Sequence, residues 1–130
     1  VNQRVVETYR KGRVLLAGDA AHVNNPLGGM GMNGGVHDGV NIAKKLVQIL
    51  NNKESEELLD LYDRQRRPIA VEYVQAHSIR NKKIMEEKDP KIRRQRQDEI
   101  RAVRDNSDKS FELMMQVSMI NSINKSNATA

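Results

Sequence analysis

Val14-Leu15-Leu16-Ala17-Gly18-Asp19-Ala20-Ala21-His22, followed three residues later by Pro26-Leu27-Gly28-Gly29-Met30-Gly31-Met32-Asn33-Gly34-Gly35, decides how this chain is read. The apolar run Val14–Ala17 is short and bounded by turn residues on both sides, which predicts a strand buried on both faces. Its carboxyl end delivers Gly18 and the carboxylate of Asp19, the place where open α/β sheets put their ligands. Ala20 and Ala21 let the chain pass close to something flat. Pro26 fixes the backbone locally, and the glycines beyond it let main-chain amides approach a ligand without Cβ atoms in the way. The loop, read from Ala20 to Gly35, enters a helix starting near Gly34. The free N–H groups and dipole of that helix favour negative charge.

Gly29-Met30-Gly31-Met32-Asn33-Gly34 spells G-x-G-x-x-G. The dinucleotide fingerprint requires a strand immediately before it. Here the strand ends at Ala17 and a polar loop intervenes, so the ordinary Rossmann reading is rejected.

Outward from this stretch the composition changes sharply. All 8 glycines lie between Gly12 and Gly39, and the 91 residues that follow read as helix. Upstream, Val5–Tyr9 predicts a strand and Arg10-Lys11-Gly12 a turn. Downstream, Val36, Val40, Ala43, Val47 and Leu50 form one helical stripe, with Gly39, Ile42, Leu46 and Ile49 beside it. His37, Asp38, Asn41, Lys44, Lys45 and Gln48 share the other face, with Asp38 expected in the first turn and Asn51-Asn52 as the stop. A second helix is expected from Ser55 to Arg67, broken or kinked at Pro68 and resumed from Ile69 to about Lys88. Asp89-Pro90 restarts a charged helix to about Arg104, Ser110–Ile123 forms a last one, and Asn121–Ala130 is expected to fray.

The fold class is therefore an α/β fragment, mainly helical, with one or two short N-terminal strands, a glycine-rich loop and then several helices. Its 130 residues suit one domain or part of a larger one. The absence of cysteine excludes disulfides, thiolate metal sites and a cysteine nucleophile. No run is long enough for a membrane span and no signal peptide is visible, which together point to a cytoplasmic protein. A start at Val1 rather than Met points to a processed or excised piece. The net charge of +5 is confined to residues 80–104, which hold ten Lys and Arg against five Asp and Glu. Arg93, Arg94, Arg96, Arg101 and Arg104 could face phosphates in a helical binding module. Interleaved Glu86, Glu87, Asp98 and Glu99 and the lack of stacking aromatics favour a solvated face instead, so nucleic acid is not the expected partner. The histidines show no metal-ligand spacing, so no metal is expected. His22 is read as a structural residue bonding loop backbone, Met30 and Met32 as packing side chains, and no catalytic residue is assigned.

At Gly18–His22, Pro26–Asn33 and the helix bearing Asp38 and Asn41, the chain resembles the second flavin-binding segment of FAD-dependent aromatic hydroxylases, the single-component flavoprotein monooxygenases. Tyr62, Arg66, Arg67, Pro68 and Ala70 resemble the helix that follows in that family. The resemblance implies a cofactor-binding set of Gly18, Asp19, Pro26, Gly28, Gly29, Gly31, Met32 and Asn33. In it, Asp19 takes the ribityl chain of FAD and Pro26 lies beside the reactive edge of the isoalloxazine. The amides of Gly31, Met32 and Asn33 face the pyrimidine end of the ring. It implies further that NAD(P)H is the electron donor, with O2 and a small aromatic compound as substrates. Related reductases and halogenases share parts of this loop, which leaves another flavoprotein reaction as the alternative. Residues 1–52 then form the second half of a FAD-binding domain and 53–130 a C-terminal helical region. The family's N-terminal G-x-G-x-x-G strand unit, which holds the ADP half of FAD, is missing here, so the piece is expected to be inactive alone. Lys44 stands where the family usually has an aromatic residue, and Gln65 where it has Glu.

Overall fold

The computed structural model describes residues 3–51 and 53–130. As expected, it is an α/β fragment dominated by helix. Four two-residue strands come first: β1 (Arg4–Val5), β2 (Arg10–Lys11), β3 (Val14–Leu15) and β4 (His22–Val23). Between β3 and β4 the chain makes a 3-10 turn, Gly18–Ala20. The helices are α1 (Met30–Leu50), α2 (Leu58–Ile69), α3 (Ala76–Glu86), α4 (Pro90–Arg104), α5 (Ser107–Val117) and α6 (Ile120–Ala128). A π-helical segment, Ala70–Gln75, joins α2 to α3.

The strands pair in two antiparallel ladders. β1 pairs with β4, Arg4 opposite Val23 and Val5 opposite His22. β2 and β3 form a hairpin turned by Gly12, whose φ of 60° lies in the left-handed region that glycine enters freely. Arg10 and Lys11 are thus strand rather than turn, and the regular part of the expected Val5–Tyr9 strand is confined to its start. The expectation of a β3 buried on both faces is corrected too. Val14 is 63% exposed, because β3 has only the short β2 as a ladder partner among the described residues.

Helix α1 begins at Met30, four to six residues before the sequence places it. Glycine costs about 1 kcal/mol relative to alanine inside a helix, so Gly31, Gly34 and Gly35 read as loop. The packing explains two of them. A Cβ on Gly35 would lie 3.1 Å from the Cα of Gly18, and one on Gly34 would lie 3.4 Å from Cε1 of His22. Close approach of the Gly18 turn and of β4 requires bare backbone at these positions. The early start also puts Asp38 in the third turn, not the first. At the other end Asn51 caps α1, its N–H on the carbonyl of Val47 at 3.2 Å; Val1 and Asn52 lie outside the described residues.

Pro68 does not break α2. The helix runs through it and widens into the π segment directly afterwards, a wide turn of the kind that accommodates a missing backbone donor. Asp89 caps α4 as its position before Pro90 predicts, accepting from the Lys91 N–H at 2.8 Å. The expected single segment Ser110–Ile123 is two helices, divided at Met119, a non-glycine residue with φ of 62°. Nor does Asn121–Ala130 fray. It forms α6, which packs on α2 and α5 and buries the small side chains Ser122 and Ser126. Small polar residues spaced by four look like a loose tail in sequence, yet here they allow close helix contact.

The core lies where α1, α2 and the strand ends meet. Tyr9, Ala21, Tyr62 and Ala70 are its buried centre, with Val5, Val6, Leu15, Leu16 and Ile42 against it. The Tyr62 hydroxyl donates to the carbonyl of Leu16 at 2.7 Å, tying α2 to the segment that leads into the Gly18 turn. A second cluster, Met30, Val74 and Met119, joins the start of α1, the π segment and the α5–α6 junction.

Candidate functional site

Two backbone features face each other at the carboxyl end of the β3 segment. One is the Gly18–Ala20 turn, which presents Asp19 exposed to solvent. The other is the start of α1. Its N-cap residue, Gly29, is in the left-handed conformation, offers no side-chain cap, and no acidic residue occupies the first turn. The first-turn N–H groups around Gly31, Met32 and Asn33 therefore have no intrahelical acceptor and no acidic residue within that turn. Space for a Cβ at Gly29 and Gly31 is open to 4 Å.

The connecting loop is shaped from behind. Asn25 Oδ1 accepts the Leu27 N–H at 3.1 Å, and the Pro26 carbonyl accepts the Gly29 N–H at 3.1 Å. Gly28 has φ of 119°, and a Cβ there would lie 3.0 Å from Asn81 Nδ2 and 3.1 Å from His77 Cδ2 of α3. So α3 backs the loop, while Pro26, Gly28, Gly29, Met32 and Asn33 remain exposed on its other side. Met32, expected to fill a gap, points into solvent; Met30 does pack.

Beneath the loop lies a buried charge cluster. Asp38 accepts Arg66 Nε on Oδ1 at 2.7 Å, and on Oδ2 it accepts His22 Nε2 at 2.8 Å and the Gly18 N–H at 3.1 Å. Carboxylate oxygens only accept, so His22 carries its proton on Nε2. Nδ1 then accepts from Asn24 Nδ2 at 3.0 Å. Arg66 Nη2 also reaches the Gly34 carbonyl at 3.4 Å. The His22 ring stacks on Tyr9, centroids 6.2 Å apart. Burial pushes the Asp38 carboxyl upward, but the hydrogen bonds from His22 and Arg66, the Arg66 charge and the Gly18 amide outweigh it and hold the carboxyl below its usual range. His22 thus bonds a side chain, not loop backbone as expected.

A second polar group lies farther along α1. The Lys45 ammonium is buried and donates to Asn41 Oδ1 at 2.8 Å and Gln65 Oε1 at 2.7 Å. Gln65 in turn donates to the carbonyl of Thr129 at 2.8 Å. Loss of water, then the nearby charges of Lys44 and Arg66, lower the Lys45 pKa.

Reading α1 by its apolar stripes is therefore corrected for one stripe, while Ile42, Leu46 and Ile49 of the stripe beside it are half-buried, Ile42 against the core. Asp38 is 1% exposed and Lys45 6%, whereas Val36, Val40, Val47 and Leu50 are 57%, 49%, 58% and 77% exposed. Gly34, Asp38, Asn41 and Lys45 recur at helical spacing, and that stripe of small and polar residues is the signal that could have marked the inward face. The basic stretch falls mainly on α4, which has no buried residue; Arg101 and Arg104 pair with Asp98 and Asp105, each at 2.7 Å. That is the solvated face expected.

The sequence model of the FAD binding domain family matches residues 1–77, more than half of the chain. Para-nitrophenol 4-monooxygenase of Pseudomonas sp. (strain WBC-3) is 42% identical over 90 residues, 69% of this chain and 22% of that protein. Tetracenomycin B2 monooxygenase-dioxygenase of Streptomyces olivaceus is 47% identical over 72 residues, 55% of this chain and 13% of that protein. The chain thus spans less than a quarter of the length of either relative. Among solved structures, p-nitrophenol 4-monooxygenase from Pseudomonas putida DLL-E4 superposes with a TM-score of 0.83 at 33% identity, over 92% of this chain and 31% of that one. An aromatic hydroxylase from angucycline biosynthesis gives a TM-score of 0.78 at 33% identity, over 92% of this chain and 24% of that one. The resemblance drawn from the Gly-Asp-Ala-Ala-His loop is borne out.

Proposed function

The chain belongs to the FAD binding domain family, and from that premise we propose that it is the flavin-proximal part of an NAD(P)H-dependent monooxygenase that hydroxylates an aromatic compound with O2. The observation that carries this reading is an exposed Asp19 in a turn that packs on α1 at Gly35, a helix whose start is uncapped and is entered through a loop with two positive-φ glycines. Residues 1–52 supply this cradle and residues 53–130 back it. The exposed Val36, Val40, Val47 and Leu50 stripe supports a further layer of the full protein packing on α1, the layer that would contain the N-terminal half of the FAD domain. A cytoplasmic setting accords with a cysteine-free chain.

The residues present fit a flavin. Asp19 can accept hydrogen bonds from ribityl hydroxyls. The N–H groups of Gly31, Met32 and Asn33 can donate to the carbonyl edge of the ring, and Gly28 and Gly29 keep the approach clear, with Pro26 beside them. When bound, FAD would supply the redox chemistry, hydride acceptance from NAD(P)H and transfer of one oxygen atom of O2 to an electron-rich ring with the other released as water. The start of α1 sets a positive field there, worth about 0.3–2 kcal/mol for a negative charge within the first turn. That field favours the anionic form of the reduced ring. The relatives named above are monooxygenases of para-nitrophenol and of tetracenomycin B2 by name, which supports an oxygen-bearing aromatic ring as the substrate class.

The test uses the protein expressed from the whole reading frame. It is expected to purify yellow, with a flavin absorption band, and to oxidise NAD(P)H faster when a phenolic substrate is added. A colourless protein that takes up no FAD on reconstitution overturns the reading.

A further inference from the structure

We propose that the buried His22–Asp38–Arg66 cluster is the positioning device of the cradle, fixing where Asp19 and Pro26 stand relative to the first turn of α1. This inference rests on the flavin reading and adds to it residues that touch no cofactor themselves.

A simple structural ion pair needs two partners. Asp38 has three, and the third is the N–H of Gly18, the residue immediately before Asp19. Gly18 has φ of 57°, so the chain reverses there, and its Cα rests against Gly35 of α1. The carboxylate of Asp38 therefore determines how far the Asp19 turn sits from the helix. The other end of the cradle is held through the same cluster. His22 donates to Asp38 with one ring nitrogen and accepts from Asn24 with the other, and Asn24 lies two residues before Pro26. Arg66 completes the frame by reaching both Asp38 and the Gly34 carbonyl of α1. One carboxylate thus joins the Gly18 turn, β4, α1 and α2. All three side chains are nearly water-free, so the geometry is held by directional bonds in a low-dielectric site, where such bonds are strong.

The experiment uses the full-length holoprotein and measures FAD dissociation constant, the visible absorption envelope of the bound flavin and its midpoint potential. Asp38→Asn has nearly the same volume but cannot accept from three donors. It is expected to raise the FAD dissociation constant by roughly 10–100-fold, the scale for partners that support a ligand-holding group. It should also shift the spectrum and potential of the flavin that remains bound, with far-UV circular dichroism unchanged. His22→Gln keeps a donor for Asp38 but loses the Asn24 link, and should move the same readouts in the same direction by less. It decides the matter if Asp38→Asn does not fold. Arg66→Lys, which keeps a charge for Asp38, should bind FAD more tightly than Arg66→Met. Wild-type affinity, spectrum and potential in folded Asp38→Asn, or in His22→Gln if Asp38→Asn does not fold, disprove the positioning role while leaving the flavin reading intact. Failure of the wild-type protein itself to bind FAD removes the flavin reading and this inference together.

Discussion

Helix α1 carries two faces with opposite chemistry, and each lies where amphipathic reasoning would not put it. The inward face holds Gly34, Asp38, Asn41 and Lys45 against α2 and the Gly18 turn, while the outward face holds Val36, Val40, Val47 and Leu50. An apolar stripe facing water is unfavourable, since burying one such side chain is worth about 1.5–3 kcal/mol. A buried charge without partners is worse still. The two faces are reconciled if the inner one serves the site and the outer one serves a neighbouring layer. Burial of polar groups then marks where this helix works, and exposure of apolar groups marks where it joins the rest of the protein.

The largest expected effect lies on the inner face. Arg66→Ala leaves the Asp38 carboxylate buried with no cation beside it. Denaturant unfolding of the full protein should show a loss of about 3–5 kcal/mol. A loss below about 1 kcal/mol means that water or another group reaches Asp38, and the contrast between the faces dissolves.

The outer face gives the next effect. Val36→Thr and Val40→Thr place a hydroxyl on the stripe with almost no change in shape. If a further layer covers it in the full protein, each should lower stability by about 1–3 kcal/mol. Values within about 0.5 kcal/mol, typical of solvated positions, show that this face stays open.

Much of this was legible in the sequence. The Gly-Asp pair at the end of an apolar run, the proline and the paired Gly28-Gly29 located the Asp19 turn and the loop that enters α1, because each residue type has a local conformational reason to be there. Asp89-Pro90 located the start of α4 for the same reason. What was not legible depends on distant partners. Gly34 and Gly35 read as loop because the reason for them is His22 and Gly18, twelve and seventeen residues away and brought close only by folding. Asp38 and Lys45 read as solvent-facing because their partners, Arg66 and Gln65, sit on another helix. Helix α6 read as a frayed tail because what holds it, contact with α2 and the bond from Gln65 to the Thr129 carbonyl, is distant in sequence.

The smallest effect is a pH dependence of the inner face. The Asp38 carboxyl is held below its ordinary value in the folded protein, so its contribution is present above the unfolded value of about 3.9. It is lost as pH falls from there through the folded value. The unfolding midpoint should therefore drop on acidification below about pH 4, and Asp38→Asn should flatten that part of the profile. An identical profile in the variant assigns the acid sensitivity to other carboxylates.

The central claim is that the Asp19 turn and the start of α1 form one cradle for a flavin. The most direct measurement is a crystal structure of the full-length protein with FAD bound. The account predicts the Asp19 carboxylate at about 2.5–3.0 Å from a ribityl hydroxyl, with the ring edge on the amides of Gly31, Met32 and Asn33. A flavin seated elsewhere, with Asp19 still facing solvent, would contradict it.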